Sequence, residues 1–252
     1  MLKNGKAQLI IIPFLLICFN EILKFEHVPQ TWNEGWITPI FKSGLKSDPK
    51  NYRPITITSC LGKLFTRILT SRLNNFLQKH DIISEFQIGF KENCRTSDHV
   101  LVLKTIIEYY KTKKKHIYAC FVDFSNAFPS VWTNGLYLKL LKSGISSKFV
   151  NLIISLYTNT NSYIKIGNRI SKRFTSHIGL RQGCNLSPPL FNIFTNDLPK
   201  VLLHSRMDPI SISGIKIPVL MYADDIIILS QSEKGLQVAL NNLSNYCFKW
   251  KL

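Results

Sequence analysis

Strands interleaved with helices, and a hairpin centred on two adjacent aspartates, predict an α+β fold for this chain. Three observations carry that prediction. The run Val219-Leu220-Met221-Tyr222-Ala223-Asp224-Asp225-Ile226-Ile227-Ile228-Leu229 is apolar on both sides of the acid pair, so strands over 215–221 and 226–230 meet there. A further strand over 117–122 ends on Asp123. Most of the remaining chain spaces its apolar residues as helices do. At 252 residues, 45% hydrophobic and 12% aromatic, the chain has enough apolar mass for one large or two modest domains, and disorder is excluded.

The elements follow in order. Lys3 and Lys6 precede an apolar run from Ala7 to Phe19 that imitates a signal peptide. It is shorter than the ~20 residues a membrane span needs. Pro13 interrupts it and no small-residue cleavage site follows, so a buried packing helix is expected there rather than a signal or anchor. Residues 29–36 read as an extended connection and 44–51 as a turn-rich loop. A helix over 61–79 carries the stripe Leu61, Leu64, Phe65, Ile68, Leu69, Leu73, Phe76 and Leu77. The next, over 97–111, puts Val100, Leu103, Ile107 and Tyr110 on one face. Helices over 132–142 and 147–158 are split by Gly144, and 162–167 with 170–178 make a hairpin about Gly167-Asn168. A helix over 186–198 has Ser187 as its expected N-cap, with Pro188 and Pro189 in its first turn. The last helix starts near Ser232 and is expected to continue through Leu252.

The charge balance narrows the function. Thirty-two Lys and Arg against fifteen Asp and Glu give a net charge of +17, which favours a polyanionic partner such as nucleic acid. Six cysteines are scattered without a C-x-x-C pair, which argues against zinc and against a disulfide framework and suits a reducing compartment. No repeat or low-complexity linker divides the chain.

The acid pair is an electrostatic anomaly. Burying a carboxylate without a partner costs several kcal/mol, and two neighbours also repel. An isolated Asp-Asp often lies in a turn or at a helix N-terminus, yet the flanks here lack the Gly, Pro or Asn of an ordinary turn. With Asp123 brought beside Asp224 and Asp225, three hard oxygen donors could hold two Mg²⁺ ions, the arrangement used for nucleotidyl transfer.

The motifs around those acids decide the matter. Tyr222-Ala223-Asp224-Asp225 resembles the signature of reverse transcriptases. Four more blocks resemble the non-LTR (LINE-type) retrotransposon branch in the same order. They are Asn51-Tyr52-Arg53-Pro54-Ile55, Gly89-Phe90, Phe121-Val122-Asp123-Phe124-Ser125-Asn126-Ala127-Phe128, and Gly179-Leu180-Arg181-Gln182-Gly183-Cys184-Asn185-Leu186-Ser187-Pro188. Leu61-Gly62-Lys63-Leu64-Phe65 and Tyr246-Cys247-Phe248-Lys249-Trp250 are weaker likenesses beside these five blocks.

The resemblance implies right-hand polymerase fingers and palm, with an antiparallel palm sheet packed on helices. Its implied divisions are an N-terminal extension helix over 1–30, fingers over 31–116 and palm over 117–252, together one reverse transcriptase domain from about residue 30. It implies an RNA-directed DNA polymerase that transfers nucleotides from dNTPs to a primer 3′-OH with two Mg²⁺, or Mn²⁺ in their place. Its partners are then an RNA template, a DNA primer and dNTPs, with no small-molecule cofactor and no membrane, in the nucleus or cytoplasm.

On the matching positions, Asp123 and Asp224 become metal ligands and Asp225 a third carboxylate. Phe128 becomes the ring that excludes the ribose 2′-OH, the alternative being a plain core Phe. Arg53 becomes the grip on the triphosphate, with Lys42 and Lys63 as helpers or as solvated lysines. Gln182 and Gly183 position the nucleotide and templating base, unless the glycines simply make turns. Tyr222 and Arg181 are nucleic-acid contacts, though Arg181 could instead merely extend the basic surface.

Two departures stand out. Pro129 follows Ala127-Phe128 where the family has Asp, a change expected to act locally. The chain also stops inside the expected last helix, before any thumb. The alternative to a working polymerase is therefore a truncated, inactive remnant that only binds nucleic acid.

Overall fold

The computed structural model describes residues 5–252, which divide into two compact units. The first comprises the chain up to Leu69 with Leu140–His177 and Arg181–Asn185. The second comprises Thr70–Lys139, Ile178–Leu180 and Leu186–Leu252. The boundary expected at 116/117 differs from this division: residues 70–116 fall in the second unit and 140–177 in the first.

In the first unit, α1 (Gly5–Phe25) runs through Pro13 into a short 3₁₀ turn and then β1 (Glu34–Phe41). A loop leads to β2 (Tyr52–Ile57), which pairs antiparallel with β1 from Trp36↔Ile57 to Phe41↔Tyr52. Neither strand is marked by strong alternation in the sequence, and the expected extended connection at 29–36 is in fact the 3₁₀ turn and the start of β1. Then comes α2 (Cys60–Lys79), as expected, although its buried stripe is narrower: Phe65, Leu69, Leu73 and Leu77 are buried while Leu61, Leu64 and Ile68 face solvent.

The second unit begins at Thr70 within α2 and continues to α3 (Thr96–Thr112), which buries Ile106 and Tyr110 with Leu103 packed beside them, while Val100 and Ile107 of the expected face are exposed; β3 (Tyr118–Val122) follows it. Next are α4 (Ala127–Ser130) and α5 (Thr133–Lys142). The chain returns to the first unit for α6 (Ser147–Tyr157), whose N-cap Ser146 accepts from the Phe149 N–H, and for β4 (Thr160–Ile166), β5 (Arg169–Ile170) and β6 (Phe174–Ser176). Here β4 lies parallel to β1, with Trp36 beside Tyr163, and the expected hairpin turns at Gly167-Asn168 between Ile166 and Arg169. The sheet order is β2-β1-β4-β5, with β6 also on β4.

The remaining elements belong to the second unit. The expected single helix at 186–198 is two: α7 (Ser187–Thr195), with Ser187 inside it rather than capping it, and α8 (Leu198–His204). A two-stranded pair follows, β7 (Ile210–Ile212) and β8 (Ile215–Ile217). Pro218 ends β8, because proline lacks a ladder N–H, so the strand expected over 215–221 is split and β9 is Val219–Tyr222. Then come β10 (Asp225–Ser230) and α9 (Glu233–Trp250). Ser232 caps α9 through the Gly235 N–H, and the helix ends at Trp250 with Lys251 left-handed instead of continuing through Leu252.

Two apolar clusters hold the units. In the first, Phe19 packs on Trp32 and Phe65 at ring distances of 6.2 and 5.2 Å, and Gly62 lets the Trp32 ring lie against α2. The expected burial of α1 is otherwise overturned. Phe19 and Ile22 are buried, but Leu9, Ile10, Phe14, Leu16 and Ile17 are exposed. No helix among the described residues is long and apolar enough to cross a membrane. In the second unit, Ile106 and Tyr110 of α3 pack with Ile210, Leu220 and Leu229, and the Tyr110 hydroxyl donates to the Ser211 carbonyl.

Candidate active site

The three-stranded sheet β3-β10-β9 places the carboxylates. Both edges pair antiparallel with β10, through Ile226↔Val122 and Asp225↔Tyr222. One step beyond the first pair, Asp123 leaves β3 level with Asp225. The sequence has no turn signal at the acid pair, yet Ala223-Asp224 is a two-residue turn between β9 and β10. Asp224 is half-buried, while Asp225 and Asp123 are exposed. The acids thus stand at the end of the sheet, and the expected burial is corrected: the flanking strands and Ala223 are buried, whereas Asp225 and Asp123 are not. Among the described residues, no three His, Cys, Asp or Glu side chains are gathered closely enough to hold a metal ion. The donor chemistry of these carboxylates suits a hard divalent ion.

What makes this turn without glycine is a residue that pattern reading missed. Ala223 sits at φ +58°, a left-handed conformation that costs an L-residue ~1–2 kcal/mol. Gln87, fully buried, offsets that cost. Its Oε1 accepts from the Ala223 N–H at 2.9 Å and its Nε2 donates to the Ala223 carbonyl at 3.0 Å. The same Oε1 accepts the Gly89 N–H at 2.9 Å, and Asn192 Nδ2 donates to the Gly89 carbonyl at 2.7 Å. A Cβ at Gly89 would collide with the Ala223 backbone nitrogen, so the glycine of the Gly89-Phe90 block is required by close approach. Residues 86–88 also bond the Met221 backbone, through Met221 N–H to Phe86 O and Ile88 N–H to Met221 O. A lone Gln before Gly89-Phe90 gave no signal of this, since its partner is 136 residues away.

Phe128 of α4 stacks on the fully buried Phe191 at 4.9 Å and meets Phe90 edge-on at 6.3 Å. It remains half-buried, so it packs on the core while keeping an open side. Pro129 falls in the first turn of α4, where a backbone N–H has no intrahelical partner, so proline costs no helix bond. The loop before α7 is bound to this turn. Leu180 N–H donates to Phe128 O at 2.7 Å, and Gly179, at φ +91°, passes so close to the Pro129 carbonyl that no Cβ would fit.

The other expected site residues lie in the first unit. Arg53 is exposed on β2 opposite Ile40. Lys42 is exposed just after β1, and Lys63 is half-buried on α2. Gln182 is tied to β2 by the Thr56 N–H, which donates to its carbonyl at 2.8 Å. Gly183, at φ +106°, lies against the Thr56 carbonyl. Arg181 is neither on an open basic surface nor poised for a phosphate. Its guanidinium donates to the carbonyls of Trp32 at 2.9 Å, Asn33 at 2.7 Å and Leu156 at 3.4 Å. Burial lowers its pKa, partly opposed by Tyr157 and Cys184. The structure brings Asp123, Asp224, Asp225, Phe128 and Tyr222 together in one unit, and Arg53, Lys42, Lys63, Gln182 and Gly183 in the other.

A carboxylate-bearing antiparallel sheet backed by helices, accompanied by a strand-rich unit, has the fingers-and-palm architecture of a template-directed polymerase. The family model for reverse transcriptase (RNA-dependent DNA polymerase) matches residues 42–252, and the chain belongs to that family. Curated relatives are non-LTR retrotransposon polymerases. A probable RNA-directed DNA polymerase from transposon BS of Drosophila melanogaster is 30% identical over 96% of this chain and 27% of the relative. The RNA-directed DNA polymerase from mobile element jockey of Drosophila funebris is 29% identical over 95% of this chain and 26% of its own length. A Pol polyprotein from a type-1 R2 retrotransposable element of Popillia japonica is 30% identical over 87% and 30%. The chain therefore spans under a third of the length of these relatives. An apo telomerase from Candida tropicalis, truncated from its C-terminal domain, shares the fold at TM-score 0.60 and 15% identity, covering 94% of this chain and 52% of that one.

Proposed function

We propose that this chain is the catalytic region of an RNA-directed DNA polymerase, extending a DNA primer 3′-OH with dNTPs opposite an RNA template. The observation that carries the reading is the β9–β10 turn. It stands Asp224 and Asp225 at the end of a sheet whose neighbouring strand delivers Asp123, in a chain of the reverse transcriptase family.

In this reading Asp123, Asp224 and Asp225 hold two divalent ions, Mg²⁺ or Mn²⁺. When bound, such ions lower the pKa of an attacking hydroxyl and neutralise departing phosphate charge. The chain's own contribution is placement. Gln87 fixes the backbone of the turn that carries Asp224 and Asp225. The exposed Arg53 offers a planar fork for the triphosphate, with Lys42 and Lys63 adding positive charge. Phe128, braced by Phe191, presents a rigid ring to a sugar and would clash with a 2′-OH. Gln182 and Gly183 bring backbone close to the nucleotide and templating base, and Tyr222 faces the nucleic acid beside Asp225.

Primer extension on an RNA template with Mg²⁺ and dNTPs tests the reading. Product is expected from the parent chain and a loss of at least about 100-fold from Asp224→Asn. Product that survives Asp224→Asn would show that it does not come from this site, and salt-sensitive nucleic-acid binding with no product from the parent would support a binding remnant.

A further inference from the structure

Between β6 and α7, residues 177–186 form no helix or strand, so bonds from elsewhere in the fold must place their backbone. Within them Arg181–Asn185 belong to the first unit, together with β1, β2 and α6. Arg181 is where that stretch is fastened. One planar guanidinium donates to the carbonyls of Trp32 and Asn33 in the 3₁₀ turn and of Leu156 in the last turn of α6. The last carbonyls of a helix lack intrahelical partners and form its negative pole, so a cation suits that place. Asn33 completes the joint, its Nδ2 donating to the Ser155 and Thr158 carbonyls at 2.8 and 3.0 Å. Turn and helix end are thereby locked together, and Arg181 is tied to both.

The next two residues reach β2, the outer strand of its sheet. The Thr56 N–H is directed at the Gln182 carbonyl, 2.8 Å away. Gly183 sits so close to the same residue that an added Cβ would lie 2.9 Å from the Thr56 carbonyl oxygen. Thr56 follows Arg53 by three residues on β2, a separation that strand geometry holds near ~10 Å. An anchor at Arg181 therefore stations Gln182 and Gly183 along the strand that carries Arg53. Two other roles fit less well. To contact a phosphate, the fork would have to turn away from three carbonyls and strand them. For packing alone, an apolar side chain would serve without the cost of desolvating a guanidinium.

We propose that Arg181 is a positioning residue. It holds Gln182 and Gly183 against Thr56 and so keeps the contacts to the nucleotide's base in register with the triphosphate grip of Arg53. The nucleotide part rests on the polymerase reading; the anchor itself does not.

Arg181→Lys is the test, because it keeps the charge but replaces the fork with a single ammonium. Hydrogen exchange, run without nucleotide or metal, should show the Thr56 amide at least about 10-fold faster than in the parent, with the α9 amides unchanged. Single-nucleotide extension on an RNA template should show KM for the dNTP raised about 10- to 100-fold, while kcat falls by less than about 3-fold. Ser155→Ala controls for stability alone. It removes the bond from the Val28 N–H at the same helix end, and should lower the melting temperature while KM and Thr56 exchange stay as in the parent. A Thr56 amide as protected in Arg181→Lys as in the parent would overturn the anchor. Thr56 opening with KM unchanged, or a KM rise shared by Ser155→Ala, would overturn the positioning role. If Arg181→Lys does not fold, Arg181→Gln leaves no charge to solvate and is judged by the same two readouts. A parent without product would remove the polymerase reading and the nucleotide role with it, while Thr56 exchange still decides the anchor.

Discussion

At the scale of single residues, the turn that carries Asp224 depends on one buried amide side chain. Gln87 satisfies both polar groups of the Ala223 peptide unit and the Gly89 N–H from a fully buried position. Gln87→Ala strands these groups away from water, at ~1–3 kcal/mol for each buried group left unpaired. Urea unfolding should report a loss of about 3 kcal/mol, and hydrogen exchange should show the Ala223 amide opening first. A stability within 0.5 kcal/mol of the parent would refute the role. This is also where sequence legibility ran out. Asp123, Asp224 and Phe128 stand out in the sequence because their motifs are contiguous in the chain. Gln87 could not, because its meaning comes from a partner far away in sequence. Arg181 is a second case: its motif suggests nucleic acid, while the carbonyls that occupy it come from Trp32, Asn33 and Leu156.

At the scale of elements, α9 is held by a buried cation. Lys139 of α5, 5% exposed, donates to Asp197 Oδ1 at 2.6 Å, to the Tyr246 hydroxyl at 2.7 Å and to the Phe194 carbonyl. Its Nζ lies 3.8 Å from the Trp250 ring centroid. A buried ammonium is tolerable only when so fully partnered. Asp197 keeps 43% of its side chain exposed, so water shares in its solvation and the pair is worth less than a fully buried one. Lys139→Met should therefore cost ~1–3 kcal/mol in urea unfolding, and a neutral outcome would show the cage to be dispensable. Helices with strong periodicity, such as α2 and α6, were legible to within a residue or two. β1 and β2 were not, because Thr38, Pro39 and Pro54 interrupt any alternation and the pairing of the two strands, rather than local pattern, defines them.

At the scale of the whole molecule, the pH range of stability has an alkaline edge built from buried phenols. Burial pushes Tyr137 up to about 12, against an opposing hydrogen bond from Thr133. Burial and the neighbouring Asp197 push Tyr246 up as well. Both groups are neutral in the folded state after the unfolded chain has begun to lose its protons. Their stabilisation is thus complete below pH 10.0 and falls away as pH rises toward about 12. Thermal melts from pH 8 upward should be flat and then decline in that window, and Tyr137→Phe should remove part of the decline. A decline starting near neutrality, or one unchanged in Tyr137→Phe, would assign the edge to other groups. The net charge of +17 acts across the same molecule, and sequence alone revealed it, whereas the stacking of Trp36 on Tyr163 needed the register of β1 with β4.

The bonds between Gln87 and Ala223 also bear on the order of folding. They close a loop of 136 residues, so their entropic cost must be met before the left-handed turn is supported. During synthesis Gln87 emerges first and waits, and the turn gains its support only once β9 and β10 have been made. The acid pair is therefore expected to set late, after the helices that precede it. A nascent or partly folded chain would then carry the aspartates without holding them in place.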